Sequence, residues 1–380
     1  MWLTVLCMVN YFVIIENKLF CRDENNNIVD WFVAYKLPLI KEHSNKLVQE
    51  GVAYCYITSK DVAAGWMLSE RSINDSLSIT GQTLLPLYAN KSSVATGGQP
   101  DLLWMLYNDQ PPSGNISVDK GHTKGVVMCG PDGGVWLVHS VPHYPPTRGT
   151  GPAGYSYPHS GLHYGQSFLC LSLSLQQMDL VVLFVLVLGL QLMYNEPQVY
   201  NFSLAPHLPV PHLLAAAEGG TVAHPPWFHQ QVLSTQQGLQ FTSFAKTSQF
   251  HKDLYADWVA MALQSDLVVE SWLNGKNPLP PSCARPYTVQ NVVSVDMNVA
   301  NANFSIHRDH SKWAVSTNGT GKTWVCVGDI NRMASQSTRG GGTVCVQDHR
   351  LWAAYSGVVA GITPCSRSSM QPAQVLFVGL

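Results

Sequence analysis

One short motif occurs twice in this chain, and this repeat constrains the fold more than any other feature. Residues 121–125 read GHTKG and residues 309–313 read DHSKW, so each copy places a histidine two positions before a lysine. In an extended segment, that spacing turns both side chains to the same face. The repeat therefore predicts two His/Lys pairs, His122 with Lys124 and His310 with Lys312.

The residues that follow each copy also match. Trp136 lies fourteen residues after His122, and Trp324 lies fourteen residues after His310. Residues 133–138 and 319–325 both have the pattern of a glycine-containing turn followed by a strand. We therefore expect a twice-used unit of strand, turn and strand, in two pseudo-symmetric halves that bring both His/Lys pairs to one pocket. Two histidines and two lysines around one pocket suit phosphodiester chemistry without a metal.

Polar residues close each unit. They are His139, Ser140, Asp329 and Asn331. These side chains would orient the imidazoles or bind phosphate through hydrogen bonds, or they are loop residues that satisfy nearby backbone groups. The glycine-rich residues 339–343 would present backbone N–H groups to phosphate, or they form a tight turn before a strand.

The chain resembles the deoxyribonuclease II family, a branch of the phospholipase D superfamily that includes plancitoxin-like secreted acid endonucleases. Nine blocks carry the resemblance in family order over roughly residues 21–365. They are VDWFVAYKLP (29–38), LYNDQPP (106–112), GHTKGV (121–126), GGVWLVHSVP (133–142), YGQS (164–167), SFAK (243–246), DHSKW (309–313), CVGDINR (326–332) and RGGGT (339–343). The resemblance implies an α/β fold of the phospholipase D type. In that fold, two pseudo-symmetric halves, each a mixed β-sheet flanked by helices, meet at the active site.

The family resemblance also implies an activity. It is metal-independent acid endonucleolytic hydrolysis of DNA, without a cofactor, to 3′-phosphate and 5′-hydroxyl ends through a phosphohistidine intermediate. His122 would be the nucleophile and His310 the proton donor, while Lys124 and Lys312 hold the non-bridging oxygens. Because one imidazole must be protonated while the other is neutral, the coupled pair should give a bell-shaped pH profile.

Two other functions remain open at this point. A catalytically inactive secreted binding or effector protein could use the same scaffold, although loss of a histidine would be expected in such a copy. A phospholipase would share both His/Lys pairs, but the nine blocks are those of the nuclease branch. As partners we expect DNA, bound through its backbone with weak sequence specificity, and no stable membrane insertion. The chain would act as a monomer or a homodimer.

The charge balance favours DNA binding only at acid pH. The net charge is −2 at pH 7, whereas nucleic-acid binders are usually basic. If most of the 14 histidines were protonated near pH 5, the net charge would rise toward +12. Acidification would then turn the protein into a polycation.

The N-terminus predicts entry into the secretory pathway. Residues 1–15 are mostly apolar, and we interpret residues 1–20 as a signal peptide; the alternative is a short membrane anchor, although a spanning helix needs about 20 apolar residues. Six Asn-x-Ser/Thr sequons are candidates for glycosylation: Asn74, Asn90, Asn115, Asn201, Asn303 and Asn318. We therefore expect a secreted or lysosomal protein.

The cysteine count agrees with this location. Removal of Cys7 with the signal would leave eight cysteines, and an even number in a secreted chain favours disulfides. By resemblance to the family, the pairs are Cys21–Cys170, Cys283–Cys365 and Cys326–Cys345. Cys55 and Cys129 would be free thiols or a fourth bridge. No pair has the CxxC spacing of a structural zinc site.

The pattern along the chain predicts an N-terminal half over residues 21–204 and a C-terminal half over residues 228–365. The proline-rich residues 205–227 would connect them, and residues 366–380 would be a disordered or spurious tail. Strands are predicted at 31–35, 101–107 and 124–129, a turn at 133–134, a helix at 254–267 and a loop at 142–165. The apolar run 180–190 is a buried element or, as we favour, an insertion. Trp104, Trp258 and Trp352 are predicted to be core residues rather than DNA-stacking groups.

Overall fold

The computed structural model describes residues 18–89, 102–148, 154–182, 191–203, 220–317 and 321–365, together with single positions or pairs between 205 and 218. Three predicted segments lie wholly or mostly outside the described residues: residues 1–17 of the predicted signal peptide 1–20, the tail 366–380, and residues 183–190 of the apolar run. The beginning of that run, through Val182, is helical.

The first part of the chain forms a large antiparallel sheet beside a small hairpin. Its strands are β1 (Cys21–Arg22), β2 (Ile28–Val29), β3 (Trp31–Lys36), β4 (Tyr54–Thr58), β5 (Met67–Leu68), β6 (Leu103–Asn108), β7 (Lys124–Gly130), β8 (Gly133–His139), β9 (Gln166–Leu173) and β10 (Val199–Ser203). β1 pairs with β2, and the other eight strands have the order β10-β6-β7-β8-β9-β3-β4-β5.

The last part of the chain forms a second large sheet. Its strands are β11 (Phe228–Ser234), β12 (Gln240–Lys246), β13 (Leu267–Glu270), β14 (Val289–Met297), β15 (Ala302–Ser305), β16 (Trp313–Ser316), β17 (Trp324–Gly328), β18 (Gly341–Gln347) and β19 (Val359–Ile362). Their order is β11-β12-β18-β17-β16-β13-β14-β15, with β19 beside β14. Only β13 and β14 are parallel among these described pairs, so this sheet is mixed.

Helices are few and short. They are α1 (Lys46–Gln49), α2 (Ile79–Tyr88), α3 (Leu175–Val182), α4 (Gln191–Tyr194), α5 (Ala260–Leu263) and α6 (His349–Ser356). A π-helical turn, Tyr255–Val259, runs directly into α5. Single 3₁₀ turns are Val62–Ala64, His159–Gly161, Ser248–Phe250, Asn298–Ala300, Ile306–Arg308 and Ala334–Gln336.

The two sheets repeat one connectivity. In the first sheet, five neighbouring strands lie side by side in the order β6-β7-β8-β9-β3, and each pair is antiparallel. β3 comes first in the chain but lies at the far end of this row. The second sheet repeats this arrangement with β13-β16-β17-β18-β12. The helix after the fourth strand also packs equivalently, α3 against β8 and α6 against β17. The fold is therefore the expected mixed α/β class with two similar sheets, whereas the exact domain limits stay a prediction.

Side chains that alternate along the strands place a shared core between the sheets. On β7, Val127 and Cys129 face this shared core, while Val126 and Met128 face an outer cluster under α2. Successive side chains of a strand point to opposite faces, so a strand that is buried on both faces contacts a different hydrophobic cluster on each face. A third cluster packs the π-turn and α5 against the outer face of the second sheet. The sheets thus lie face to face and are fixed relative to each other.

The predicted helix and the predicted hairpin turn differ from the structure, whereas the predicted loop agrees with it. The helix predicted for 254–267 ends at Leu263, because Gln264 takes a left-handed conformation (φ 52°) and Leu267 already begins β13. The first hairpin turns at residues 131–132, and the predicted turn glycines Gly133 and Gly134 belong to β8. The predicted loop 142–165 is irregular apart from one 3₁₀ turn in its described part.

The three disulfides that the resemblance implies are present: Cys21–Cys170, Cys283–Cys365 and Cys326–Cys345. Cys55 and Cys129 are free thiols buried in the shared core, so the fourth-bridge alternative is wrong.

Four of the six predicted sequons and all three predicted core tryptophans lie in the described part of the chain. Among the sequons, Asn74, Asn115 and Asn303 are exposed and Asn201 is half-buried, while Asn90 and Asn318 lie outside the described residues. Trp104, Trp258 and Trp352 are half-buried and pack against the hydrophobic clusters, as predicted.

Candidate active site

The two HxK segments converge between the sheets. His122 lies just before β7, and His310 lies just before β16, the equivalent strand of the second sheet. The centroids of the two imidazole rings are 6.5 Å apart, with their planes inclined by 61°. The twofold use of the motif therefore yields one pair of facing histidines.

Backbone carbonyls of the second half hold His122. Its amide N–H donates to the carbonyl of Gly340 (2.8 Å), and its Nδ1 lies 2.6 Å from the carbonyl oxygen of Asp329. Because a carbonyl only accepts, Nδ1 carries the hydrogen in this bond. Neutral His122 therefore keeps its lone pair on Nε2.

His310 is held in the same way by the first half. Its amide N–H donates to the carbonyl of Gly165 (2.9 Å), and its Nδ1 donates to the carbonyl of Ser140 (3.1 Å). The amide oxygen of Gln166 is a second acceptor for Nδ1, at 3.3 Å. The supporting positions correspond between halves, since Gly165 and Gly340 precede β9 and β18, and Ser140 and Asp329 follow β8 and β17. Each half thus fixes the tautomer of the other half's histidine.

Two glycines permit close packing of the segments that carry the facing histidines. A Cβ atom on Gly121 would lie 1.7 Å from the carbonyl oxygen of Asn195, and one on Gly165 would lie 2.3 Å from Oδ1 of Asp309. Real Cβ contacts are never this short, so a larger residue would displace the segment that carries the neighbouring histidine.

Lys124 is fully buried and forms an ion pair with Asp109, which follows β6. Asp109 also binds the guanidinium of Arg339, from the opposite half, at 3.1 Å. Although burial opposes ionisation, Lys124, His122 and Arg339 together keep the pKa of Asp109 below its ordinary value. One carboxylate therefore joins the first lysine to the glycine-rich segment of the second half.

Lys312 has a different environment. Its Nζ donates to the carbonyl of His310 (2.5 Å), and no described carboxylate forms an ion pair with it. Burial, with the Lys124 ammonium, lowers the pKa of Lys312 to about 7. The second lysine is thus the one whose charge titrates near neutrality.

A buried polar cluster lies behind the second motif. Asp309 accepts hydrogen bonds from the hydroxyl of Tyr35, a residue of β3, and from the hydroxyl and amide of Ser311. Glu270, at the end of β13, is fully buried, and neither carboxyl oxygen has a hydrogen-bond partner among the described residues. Burial, followed by the charge of Asp309, raises the pKa of Glu270 well above its ordinary value.

Both facing histidines resist protonation. Burial lowers the pKa of His122 well below its ordinary range, and Lys124 lowers it further. Burial, Lys312, Lys124 and the other imidazole do the same for the pKa of His310, while its bond to Ser140 acts in the opposite direction. The site therefore holds two neutral imidazoles at neutral pH, and each would oppose protonation of the other.

The predicted supporting residues have separate positions. Ser140 and Asp329 contribute the carbonyls that hold the histidines, and the Asp329 carboxylate accepts the N–H of Gly342 (2.7 Å). His139 packs its ring against Tyr144 and Phe168 in the outer cluster.

Asn331 is buried, with its amide oxygen unpartnered among the described residues. The glycine-rich residues 339–343 use the carbonyl of Gly340 and the N–H of Gly342 within the protein. The carbonyl of Gly340 and the N–H of Gly342 are therefore already engaged in hydrogen bonds within the protein.

Several residues of the site were not predicted. They are Tyr35, Asp109, Gln166, Glu270 and Arg339. Four of them lie in blocks that carry the resemblance, but an isolated tyrosine, carboxylate or glutamine gives no signal of its partner across the fold. The block positions alone could have marked Asp109 and Arg339 as candidates.

Two features are absent from the described part of the chain. No group of three or more His, Cys, Asp or Glu side chains there is arranged to hold a metal ion. None of the helices in the described part combines the length and apolar character that crossing a bilayer requires.

Comparison with known proteins agrees with the geometry. The family model described as deoxyribonuclease II matches residues 20–365. Pig deoxyribonuclease-2-alpha (Sus scrofa) is 38% identical over 357 residues, which cover 92% of this chain and 91% of that protein. Plancitoxin-1 of Acanthaster planci is 35% identical, covering 91% and 92%. Human deoxyribonuclease-2-beta is 33% identical, covering 91% of each.

Proposed function

Because the chain belongs to the deoxyribonuclease II family, we propose that it hydrolyses DNA at acid pH without a metal ion, leaving 3′-phosphate and 5′-hydroxyl ends. The chain is a deoxyribonuclease II-type hydrolase at the level of its family. The observation that supports metal-independent hydrolysis by two histidines is the facing pair itself. In each imidazole, Nδ1–H donates to a carbonyl of the opposite half, and Nε2 remains available to react.

In the proposed first step, Nε2 of His122 attacks phosphorus. An N–P bond forms while the bond from phosphorus to the 5′ oxygen breaks, and His310 gives its Nε2 proton to that oxygen. In the second step, water attacks the phosphohistidine, His310 takes a proton from this water, and the N–P bond breaks. The 3′-phosphate leaves and both histidines return to their starting states.

The different exposures of the histidines support this division of roles. His122 is buried, with 7% of its surface exposed, whereas His310 is half-buried. Desolvation favours the neutral imidazole, which is the form a nucleophile requires. Burial is the largest cause that lowers the pKa of both imidazoles, and for His310 the bond to Ser140 acts in the opposite direction without outweighing it.

The lysines would stabilise the charge on the non-bridging oxygens. Their ammonium groups act as point charges in a site sheltered from water, where electrostatic stabilisation is strong. Lys124 is oriented by Asp109, and Lys312 by the carbonyl of His310. A site that binds phosphate in this manner contacts the DNA backbone, so we expect weak sequence specificity.

The acid requirement follows from the lowered histidine pKa values. At neutral pH neither imidazole carries the proton that the leaving oxygen needs. Acidification adds one proton, and that charge opposes the second. Activity should therefore rise as pH falls, then decline when the nucleophile is protonated as well. We place this activity in an acidic secretory or lysosomal compartment, with which the three disulfides agree.

Plasmid cleavage by the purified protein tests the proposal. The wild type and the variants His122→Ala and His310→Ala are compared at pH 5 and pH 7.5 in excess EDTA. We expect cutting at pH 5 by the wild type alone, with each variant reduced by about 10³-fold or more, because each histidine is required in both steps. A folded, disulfide-bonded wild type that cuts nothing at pH 5 would indicate a binding protein on this scaffold instead.

A further inference from the structure

A row of aromatic rings leads away from His310. The ring of Trp272 lies 5.3 Å from that of His310, centroid to centroid, and the ring of Tyr164 lies 4.7 Å from Trp272. His163 continues the row at 4.6 Å from Tyr164. All three contacts are edge-to-face, a geometry in which the edge of one ring points at the face of its neighbour.

Hydrophobic packing does not explain this row. Tyr164 and Trp272 are half-buried, yet neither belongs to or packs against any of the three hydrophobic clusters. Other half-buried tryptophans, such as Trp104 and Trp352, do pack against those clusters. Large aromatic side chains outside the core are typical of binding surfaces.

The backbone fixes both rings relative to the facing histidines. Tyr164 directly precedes Gly165, whose carbonyl accepts the amide N–H of His310 at 2.9 Å. Trp272 directly follows Ser271, which is buried at the end of β13 and accepts the N–H of Arg332 at 3.1 Å. The rings therefore form a prearranged surface rather than a mobile one.

The surroundings of the row favour a polyanion. His163 and His307 are exposed, and Arg308 is half-buried. Asn274, two residues after Trp272, donates to the carbonyl of His307 at 2.9 Å, which places this histidine beside the row. An aromatic surface flanked by an arginine and two histidines fits a nucleic acid strand.

We propose that Trp272 and Tyr164 form a nucleobase-binding subsite for the nucleotide on the 3′ side of the cleaved bond. This inference rests on the proposed function, because His310 there protonates the leaving 5′ oxygen and so lies on the side of the leaving nucleotide. A base stacked on an aromatic ring contributes about 1–3 kcal/mol whatever its identity. The subsite binds a base that is unstacked from its neighbour.

Oligonucleotides with one cleavable bond test this subsite. Short single strands would carry a single phosphodiester among nuclease-resistant phosphorothioate linkages. One substrate has a normal base 3′ of the cleavable bond, a second has an abasic sugar there, and a third has the abasic sugar on the 5′ side. The kcat/KM of each substrate is measured at pH 5 for the wild type, Trp272→Ala, Trp272→Phe and Tyr164→Ala. Phe228→Ala, which removes an exposed aromatic ring from β11, is the matched control.

We expect the wild type to prefer the 3′ base over the abasic sugar by about tenfold, the equivalent of roughly 1.4 kcal/mol. Trp272→Ala should reduce this preference nearly to one, Tyr164→Ala should weaken it, and Trp272→Phe should keep most of it. Phe228→Ala should leave it unchanged. The preference on the 5′ side should not respond to Trp272.

Two results would overturn the subsite. In one, folded Trp272→Ala loses activity on the normal and 3′-abasic substrates equally, which would mean that the ring only positions His310. In the other, the wild type shows no base preference at this position although it cuts plasmid. A wild type that cuts neither plasmid nor oligonucleotide would instead contradict the proposed nuclease activity itself. Near-ultraviolet circular dichroism verifies folding, and Tyr164→Ala remains informative if Trp272→Ala does not fold.

Discussion

At the scale of single residues, the two lysines of the site differ although their motifs match. Asp109 pairs with Lys124, whereas Lys312 binds only a carbonyl oxygen in the contacts described. Its lowered pKa of about 7 means that Lys312 is charged below neutrality and loses its charge above it. Binding of phosphate should therefore weaken as pH rises, independently of the histidines.

The variant Lys312→Arg tests this difference, because arginine stays charged throughout this range. Overall activity should fall, since the fork of arginine does not fit a site built for an ammonium group. The rise of KM for DNA between pH 5 and pH 8 should nevertheless be several-fold smaller than in the wild type. Lys60→Arg, at an exposed position, is the control, and an equal KM rise in both variants would argue against a role for Lys312 titration.

Glu270 gives a second prediction at this scale. Its pKa is raised in the folded state, so the folded protein holds this proton more tightly than the unfolded chain does. The associated stability is fully present below an unfolded pKa of about 4.3 and is lost as pH rises through the folded pKa. The loss amounts to about 1.4 kcal/mol for each pH unit that separates the folded pKa from the unfolded one.

Glu270→Gln, which cannot ionise, should therefore gain stability relative to the wild type between pH 4 and pH 7. Urea unfolding at both pH values measures the difference, with the exposed Glu50→Gln as the control. A constant difference between wild type and Glu270→Gln at the two pH values would show that the carboxyl does not titrate in this range.

At the scale of elements, the close approach of Gly121 to Asn195 fixes the start of β7. Gly121→Ala would place a methyl group 1.7 Å from a backbone oxygen, so the segment that carries His122 must shift. We expect kcat to fall about 10²-fold, since a displacement of about 1 Å at a reacting group costs that much. Single-turnover kinetics measure the loss, and Gly357→Ala, at the end of α6, should have little effect because its Cβ meets no atom closer than 3.1 Å.

The elements were predictable where the pattern was local. The apolar runs of β3 and β7 identified these strands correctly, and the repeated HxK spacing identified the facing histidines. The helix predicted at 254–267 was too long because the apolar pattern continues through Leu267, which packs in a strand instead. The limits of β8 were missed because two glycines indicate a turn, although here they pair with β7.

The partners of the site could not be read from the sequence. Asp109 and Arg339 are 230 positions apart, and Tyr35 and Asp309 are 274 apart. A hydrogen bond between such positions depends on the packing of the two sheets, which no local pattern encodes. The backbone carbonyls that hold the histidines were equally hidden, because every residue has one. The repeated motif and the resemblance supplied the candidate His/Lys pairs, and the structure supplied the groups that contact them.

At the scale of the whole molecule, Tyr35 joins the two sheets. Its hydroxyl reaches Asp309, Ser311 and Trp313 of the second half. Tyr35→Phe would leave the Asp309 carboxylate short of a donor in a buried position, which costs about 1–3 kcal/mol. We expect a lower unfolding free energy together with a reduced kcat, because the segment carrying His310 loosens.

Chemical denaturation and steady-state kinetics measure the two effects of Tyr35→Phe. Tyr287→Phe, at a half-buried tyrosine that packs against the third cluster, on the outer face of the second sheet, is the control. A Tyr35→Phe protein with wild-type stability and kcat would mean that the other contacts between the sheets suffice to hold this segment.

The exchange of carbonyl acceptors between the halves has a consequence for biosynthesis. His122 needs residues 329 and 340 to fix its tautomer, and they lie more than 200 positions further along the chain. A nascent chain that has only its first half outside the ribosome holds only one of the two facing histidines, without the carbonyls that fix its tautomer. The protein therefore acquires the capacity to cleave nucleic acid only after synthesis is nearly complete.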